Sequence, residues 1–150
     1  MSSPATLTTT ITETEVRQLA TQWYRKLDVH APLVELLPMV HVDAEMKFPE
    51  ATLRGLADFE AWYERVIRIF FDEVHTVRDV QVEPQGESVR VKVVVRWEAS
   101  VWTPPAAYSQ RIKLDAYQTW TVRRDEVTDR PVITEYIVDE LVFDDDSARL

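Results

Sequence analysis

The chain has 150 residues, enough for one domain, with 26 Asp plus Glu against 17 Lys plus Arg and a formal charge of −9. It contains no cysteine, which excludes disulfides, thiolate metal sites and a cysteine nucleophile, and fits a cytoplasmic setting. The negative balance repels phosphate backbones and anionic lipid, and no apolar run approaches the roughly 20 residues of a membrane span, so neither nucleic acid nor membrane is an expected partner.

The opening MSSPATLTTT lacks both the basic start and the apolar core of a secretory signal and reads as a loose tail. Thr12 and Glu15 then have capping-box spacing. Val16, Leu19, Ala20, Trp23, Tyr24 and Leu27 follow at the 3, 4, 3, 4 spacing of one helical face. Residues 28–32 break that pattern. Leu33 to Leu37 suggests a short helix stopped by Pro38, and Val42 to Phe48 a short strand before Pro49. After Gly55 a long helix places Leu56, Phe59, Trp62, Tyr63, Val66, Ile67 and Phe70 on one face.

Beyond Phe71 the apolar period falls from about 3.6 to 2. Val74 to Val82 reads as a strand, and Pro84 to Gly86 as a turn. Val89, Val91, Val93, Val95, Trp97, Ala99 and Val101 line one face of a long strand, with Arg90, Lys92, Arg96 and Glu98 on the other. A further strand aligns Ile112, Leu114, Ala116, Trp120 and Val122, and Pro131 to Phe143 is the last. The DDDSARL ending is expected to fray, leaving an ordered core over about residues 12–143. Helices first and long strands afterwards predict a single α+β domain, with about three helices on one face of an antiparallel sheet.

That element order, together with PEATLRG before the long helix, AWYERVIRIFFDEVHTV across its end and the YQTWTVRRDEV…PVITEYIVDEL hairpin, resembles the SnoaL-like proteins of the nuclear transport factor 2-like superfamily. The resemblance implies a curved, cone-shaped sheet of cystatin-like type wrapped by helices and enclosing an apolar pocket. Ketosteroid isomerase, a relative of this fold, carries its base Asp where this chain has Phe48 and its oxyanion-hole Asp where this chain has Gln118, so steroid isomerisation by those residues is not expected. Sheet-to-sheet dimers are common in the superfamily. Val94, Trp102 and Tyr117 on the outer face point to a homodimer.

The candidate site residues follow from face assignment. Gln118 shares its face with Leu114, Ala116, Trp120 and Val122, so it is the polar exception on an inner wall and needs a partner, either a ligand or a neighbouring side chain. His75 stands where the long helix hands over to the first long strand and could move a proton near neutral pH, or merely cap or face solvent. Glu135 and Asp139 share one face of the last strand; if it is the inner face they stand near the pocket mouth, Asp139 as a second acid or base, and if outer they are solvated. Tyr24, Phe48, Trp97 and Trp120 could wall the pocket for a small apolar molecule or simply be core. The three histidines lack HxH or HxxxH spacing, so no metal site is expected, and no cofactor is expected either. Three readings stay open: a proton-transfer enzyme (isomerase, cyclase or dehydratase), a binding module, and a structural subunit like the β chain of a ring-hydroxylating dioxygenase.

Overall fold

The computed structural model describes residues 10–150, so most of the N-terminal stretch read as a tail lies outside the described residues. Helix α1 covers Glu13–Asp28. Its capping box forms as the spacing requires: the Glu15 amide donates to Thr12 Oγ1 at 3.1 Å and the Thr12 amide to Glu15 Oε1 at 3.0 Å. A single turn α2, Leu33–Leu36, runs into a 3-10 turn, Leu37–Met39, because Pro38 cannot supply the next helical amide. Strands β1 (Val40–Lys47) and β2 (Thr52–Arg54) precede helix α3 (Gly55–Ile69). Four long strands complete the chain: β3 (Phe70–Gln85), β4 (Ser88–Val101), β5 (Gln110–Arg124) and β6 (Pro131–Phe143).

The six strands form one sheet in the order β2-β1-β6-β5-β4-β3. All neighbours are antiparallel except β1 and β6, which run parallel, so the sheet is mixed. A parallel pair needs a long crossover. Here the whole of β2, α3, β3, β4 and β5 supplies it, which is why short connections further along the chain did not announce it. Inner residues of β4 and β5 (Val89, Val91, Val93, Val95, Ile112, Leu114, Trp120 and Val122) are at most 1% exposed and meet Val16, Trp23 and Tyr24 of α1 and Phe59 of α3 in one core.

Departures from alternation shape the site. Strand β3 carries an extra residue between Phe71 and Val74 and another between Val77 and Asp79. The first coincides with Asp72, whose φ of 50° is uncommon for a residue with a side chain. Strand β6 slips twice against β5, near Asp139 and near Thr134. The chain end is not frayed: the Asp144 amide donates to the Lys113 carbonyl at 2.9 Å, the Ala148 amide to the Arg111 carbonyl at 2.9 Å, and Asp144 pairs with Arg96.

Candidate functional site

Between α3 and the inner sheet face lies a cavity of about 500 Å³, within the roughly 300–1,000 Å³ of small-ligand pockets. Helix α3 contributes Trp62, Tyr63 and Val66; the residue after β1 contributes Phe48; the sheet contributes Phe70, Val95, Trp97, Leu114, Ala116, Tyr136, Val138 and Leu141. Phe48 stacks on Trp62 with centroids 4.4 Å apart, and Phe70 meets Trp97 edge-on at 5.0 Å. The polar groups on this wall include Glu73, His75 and Gln118; the exposed Glu50, Arg65 and Leu150 stand at the mouth.

His75 is held from behind. Its Nδ1 lies 2.5 Å from Asp28 Oδ1, and its own backbone amide donates to Asp28 Oδ2 at 2.9 Å. Its ring stacks on Tyr24 at 4.8 Å and lies nearly parallel to Trp97 at 6.0 Å. A carboxylate on Nδ1 fixes that nitrogen as the N–H and leaves the lone pair on Nε2. No other described residue bonds to Nε2, so the nitrogen able to take a proton is the one free to meet a ligand on this wall. A carboxylate behind one imidazole nitrogen and a lone pair on the other is the arrangement that a histidine needs in order to take up a proton.

Gln118 resolves the choice posed by its face. Its Oε1 accepts from the Tyr24 hydroxyl at 2.7 Å and from Trp120 Nε1 at 3.0 Å, so the oxygen has structural partners. The side chain lines the pocket beside Tyr136, to which it also hydrogen-bonds, and an NH2 carries two N–H donors, so one can point into the pocket. Burial first, and then the neighbouring Tyr136, hold the Tyr24 phenol well above its ordinary range, so Tyr24 is a neutral donor to Gln118. Replacing Gln118 by Leu is expected to destabilise the fold by roughly 2–4 kcal/mol, because two buried donors lose their acceptor. Urea denaturation reads that loss, and a stability equal to wild type would mean those donors find other acceptors.

The remaining expected residues divide. Phe48 and Trp97 line the pocket. Tyr24 and Trp120 stand behind its wall, where they orient His75 and Gln118 rather than meet a ligand. Glu135 and Asp139 are on the outer face: Asp139 accepts from Thr119 Oγ1 at 2.6 Å and Glu135 from Thr121 Oγ1 at 3.2 Å. The inner-face placement of these two acids is therefore corrected. The two slips of β6 put Ile133, Tyr136, Val138 and Leu141 inside, a set no single alternation joins.

One further group able to hold a cation, His41, Asp125 and Glu126, lies at the β5–β6 turn among the described residues. There Arg123 Nη2 stands 3.2 Å from His41 Nε2, supplying positive charge already.

With this geometry in hand, residues 20–130 match the SnoaL-like domain family. The chain belongs to that family. No curated protein sequence matches it significantly. Solved structures share the SnoaL-like chain's fold at low identity. A proposed aromatic ring hydroxylase from Novosphingobium aromaticivorans is 14% identical, with 87% of this chain and 92% of that one covered at a TM-score of 0.74. The LinA-type3 hexachlorocyclohexane dehydrochlorinase of Novosphingobium barchaimii is 13% identical, with 91% and 92% covered at 0.72. A proposed scytalone dehydratase from N. aromaticivorans is 14% identical, with 91% and 88% covered at 0.63. Others are described as having a cystatin-like fold.

Sequence reasoning missed three residues of this SnoaL-like site: Asp28, Glu73 and His30. Asp28 did carry a signal. It is an acid in the last turn of α1, where the helix dipole favours the cations that Arg25 and Lys26 provide. An acid there contradicts local preference, as residues at functional sites do. Glu73 was hidden by the bulge at Asp72, and His30 by a loop whose path the sequence does not encode.

Proposed function

We propose that this domain is an enzyme that removes a proton from an acidic C–H of a small apolar molecule and expels a group from the adjacent carbon. The observation that carries the reading is the Asp28–His75 pair, with its Nε2 lone pair on the wall of an aromatic pocket. The Asp28 carboxylate stabilises the imidazolium that forms as His75 takes the proton. The Gln118 amide donates to the carbonyl oxygen on which negative charge gathers as the C–H proton leaves. Phe48, Trp62 and Trp97 fit a flat apolar body. A binding module has no need of a base held by a carboxylate. Its fold relatives include proteins named as dehydratases and a dehydrochlorinase, which are names for eliminations, and this favours that class over isomerisation.

The test needs no knowledge of the natural substrate. Incubated in D2O with 4-phenylbutan-2-one, which has acidic protons but nothing to expel, the wild-type protein is expected to exchange the protons beside the carbonyl faster than buffer. His75→Ala should lose most of that acceleration, about 10²–10⁴-fold for a positioned base. Wild-type exchange no faster than buffer, read by proton NMR, overturns the proposal.

No helix among the described residues is long and apolar enough to cross a membrane. A homodimer through the outer sheet face is proposed as well. Val94 and Tyr117 are paired across β4 and β5 on that face, and Tyr117 and Val142 are 41% and 45% exposed. Val94→Asp is expected to shift the protein toward monomer in sedimentation, because it would place an unpaired carboxylate in the contact. A wild-type monomer at micromolar concentration would contradict this.

A further inference from the structure

Two residues before His75, Glu73 also faces the pocket, and it too is backed by a side chain from beyond the end of α1. Its Oε2 lies 2.6 Å from His30 Nε2, and its Oε1 accepts from Trp97 Nε1 at 3.1 Å. The Glu73 side chain is 8% exposed and that of His30 28%, so the imidazole stands on the solvent side of the carboxyl. Among the described residues Glu73 is the one buried carboxylate on the pocket wall, since Glu50 is exposed at the mouth.

The two pairs are mirror images. Asp28 behind His75 presents a base to the pocket; His30 behind Glu73 presents a carboxyl that can be reprotonated from solvent through an imidazole. An elimination that only takes a proton has no use for the second pair. One that must also give a proton does. A halide departs as a stable anion and needs no proton, so it would leave an acid on this wall without a task. A hydroxyl cannot leave near neutral pH without a proton. His30 itself, at φ 52°, and Asp72 next to Glu73, at φ 50°, hold unusual backbone, a local cost of the kind retained where side-chain placement matters.

We propose that Glu73, supplied by His30, is the general acid that protonates the departing oxygen, so that the group expelled is a hydroxyl and the substrate class is a neutral β-hydroxy carbonyl compound with an apolar body. This rests on the reading of His75 as the base. In the step, His75 Nε2 takes the proton from the carbon beside the carbonyl, and that C–H pair becomes the new C=C. The C–O bond breaks with its electrons going to oxygen, which takes the Glu73 proton and leaves as water. The His30 proton then returns to Glu73, His75 gives its proton to solvent, and His30 regains one. A hydroxy compound has become an alkene and water with no oxidant or reductant.

The experiment compares 4-hydroxy-4-phenylbutan-2-one with its acetate ester. They share the acidic proton and the product, 4-phenylbut-3-en-2-one, but acetate departs without protonation. Glu73→Gln is expected to lower the hydroxyl-to-acetate rate ratio by about 100-fold or more, within the span a positioned acid contributes. His30→Asn should lower the same ratio, and it serves should Glu73→Gln fail to fold. A ratio moved by less than about 3-fold, whether both rates fall together or neither does, overturns the inference. So does a wild-type protein that eliminates acetate but not hydroxide. Deuterium exchange into 4-phenylbutan-2-one separates the two failures. Exchange present with an unmoved ratio sinks the role of Glu73 alone; exchange absent sinks the reading of His75 and this inference with it.

Discussion

Trp120→Ala is expected to destabilise the protein by about 3–5 kcal/mol, the range for deleting a large buried aromatic. The ring has no solvent exposure. It stacks on Tyr136 at 5.2 Å, lies 5.9 Å from Tyr24, and donates from Nε1 to Gln118. It is not itself among the residues lining the cavity, so its removal deletes packing rather than a contact with a ligand. A domain holds only about 5–15 kcal/mol in all, so the loss is a large fraction. Urea denaturation measures it, and a loss below about 1 kcal/mol is incompatible with full burial.

Asp28→Asn is expected to cut the rate of proton removal by about 10²–10⁴-fold, the scale on which orienting a histidine base matters. An asparagine keeps the size of the side chain and can still accept the His75 backbone N–H, but it carries no charge to stabilise an imidazolium. With its oxygen on that N–H, its NH2 meets Nδ1 and moves the ring proton to Nε2, which removes the base from the pocket. Ligand affinity should change little, since Asp28 is not on the pocket wall. Quenching of the wall residues Trp62 and Trp97 by 4-phenylbutan-2-one gives the affinity, and deuterium exchange gives the rate. Equal losses in affinity and rate would make Asp28 a packing residue.

Elements with strong periodicity were legible from sequence. The α1 stripe from Val16 to Leu27, the capping box at Thr12, and the inner faces of β4 and β5 stand where spacing put them, because each is a regular element pressed against one core. Gln118 was found for the same reason: a polar residue in a strict period-2 row is conspicuous. Legibility failed wherever the backbone left its period. The long helix ends at Ile69, and Phe70, read as its last apolar contact, already opens β3. Glu73 is turned inward by an extra residue in β3, and Tyr136 and Val138 by extra residues in β6, so alternation counted along those strands misassigns the acids. The Asp28–His75 pair joins residues 47 positions apart. It depends on how α1 crosses the end of β3, which one-dimensional spacing does not carry.

Nitrogen NMR of histidine-labelled protein tests most directly whether His75 offers a bare Nε2 to whatever occupies the pocket. The neutral His75 ring is expected to carry its proton on Nδ1, Nε2 to show the shift of an unprotonated nitrogen, and added 4-phenylbutan-2-one to move the Nε2 resonance. A neutral ring protonated on Nε2, or an Nε2 signal indifferent to saturating ligand, would contradict it.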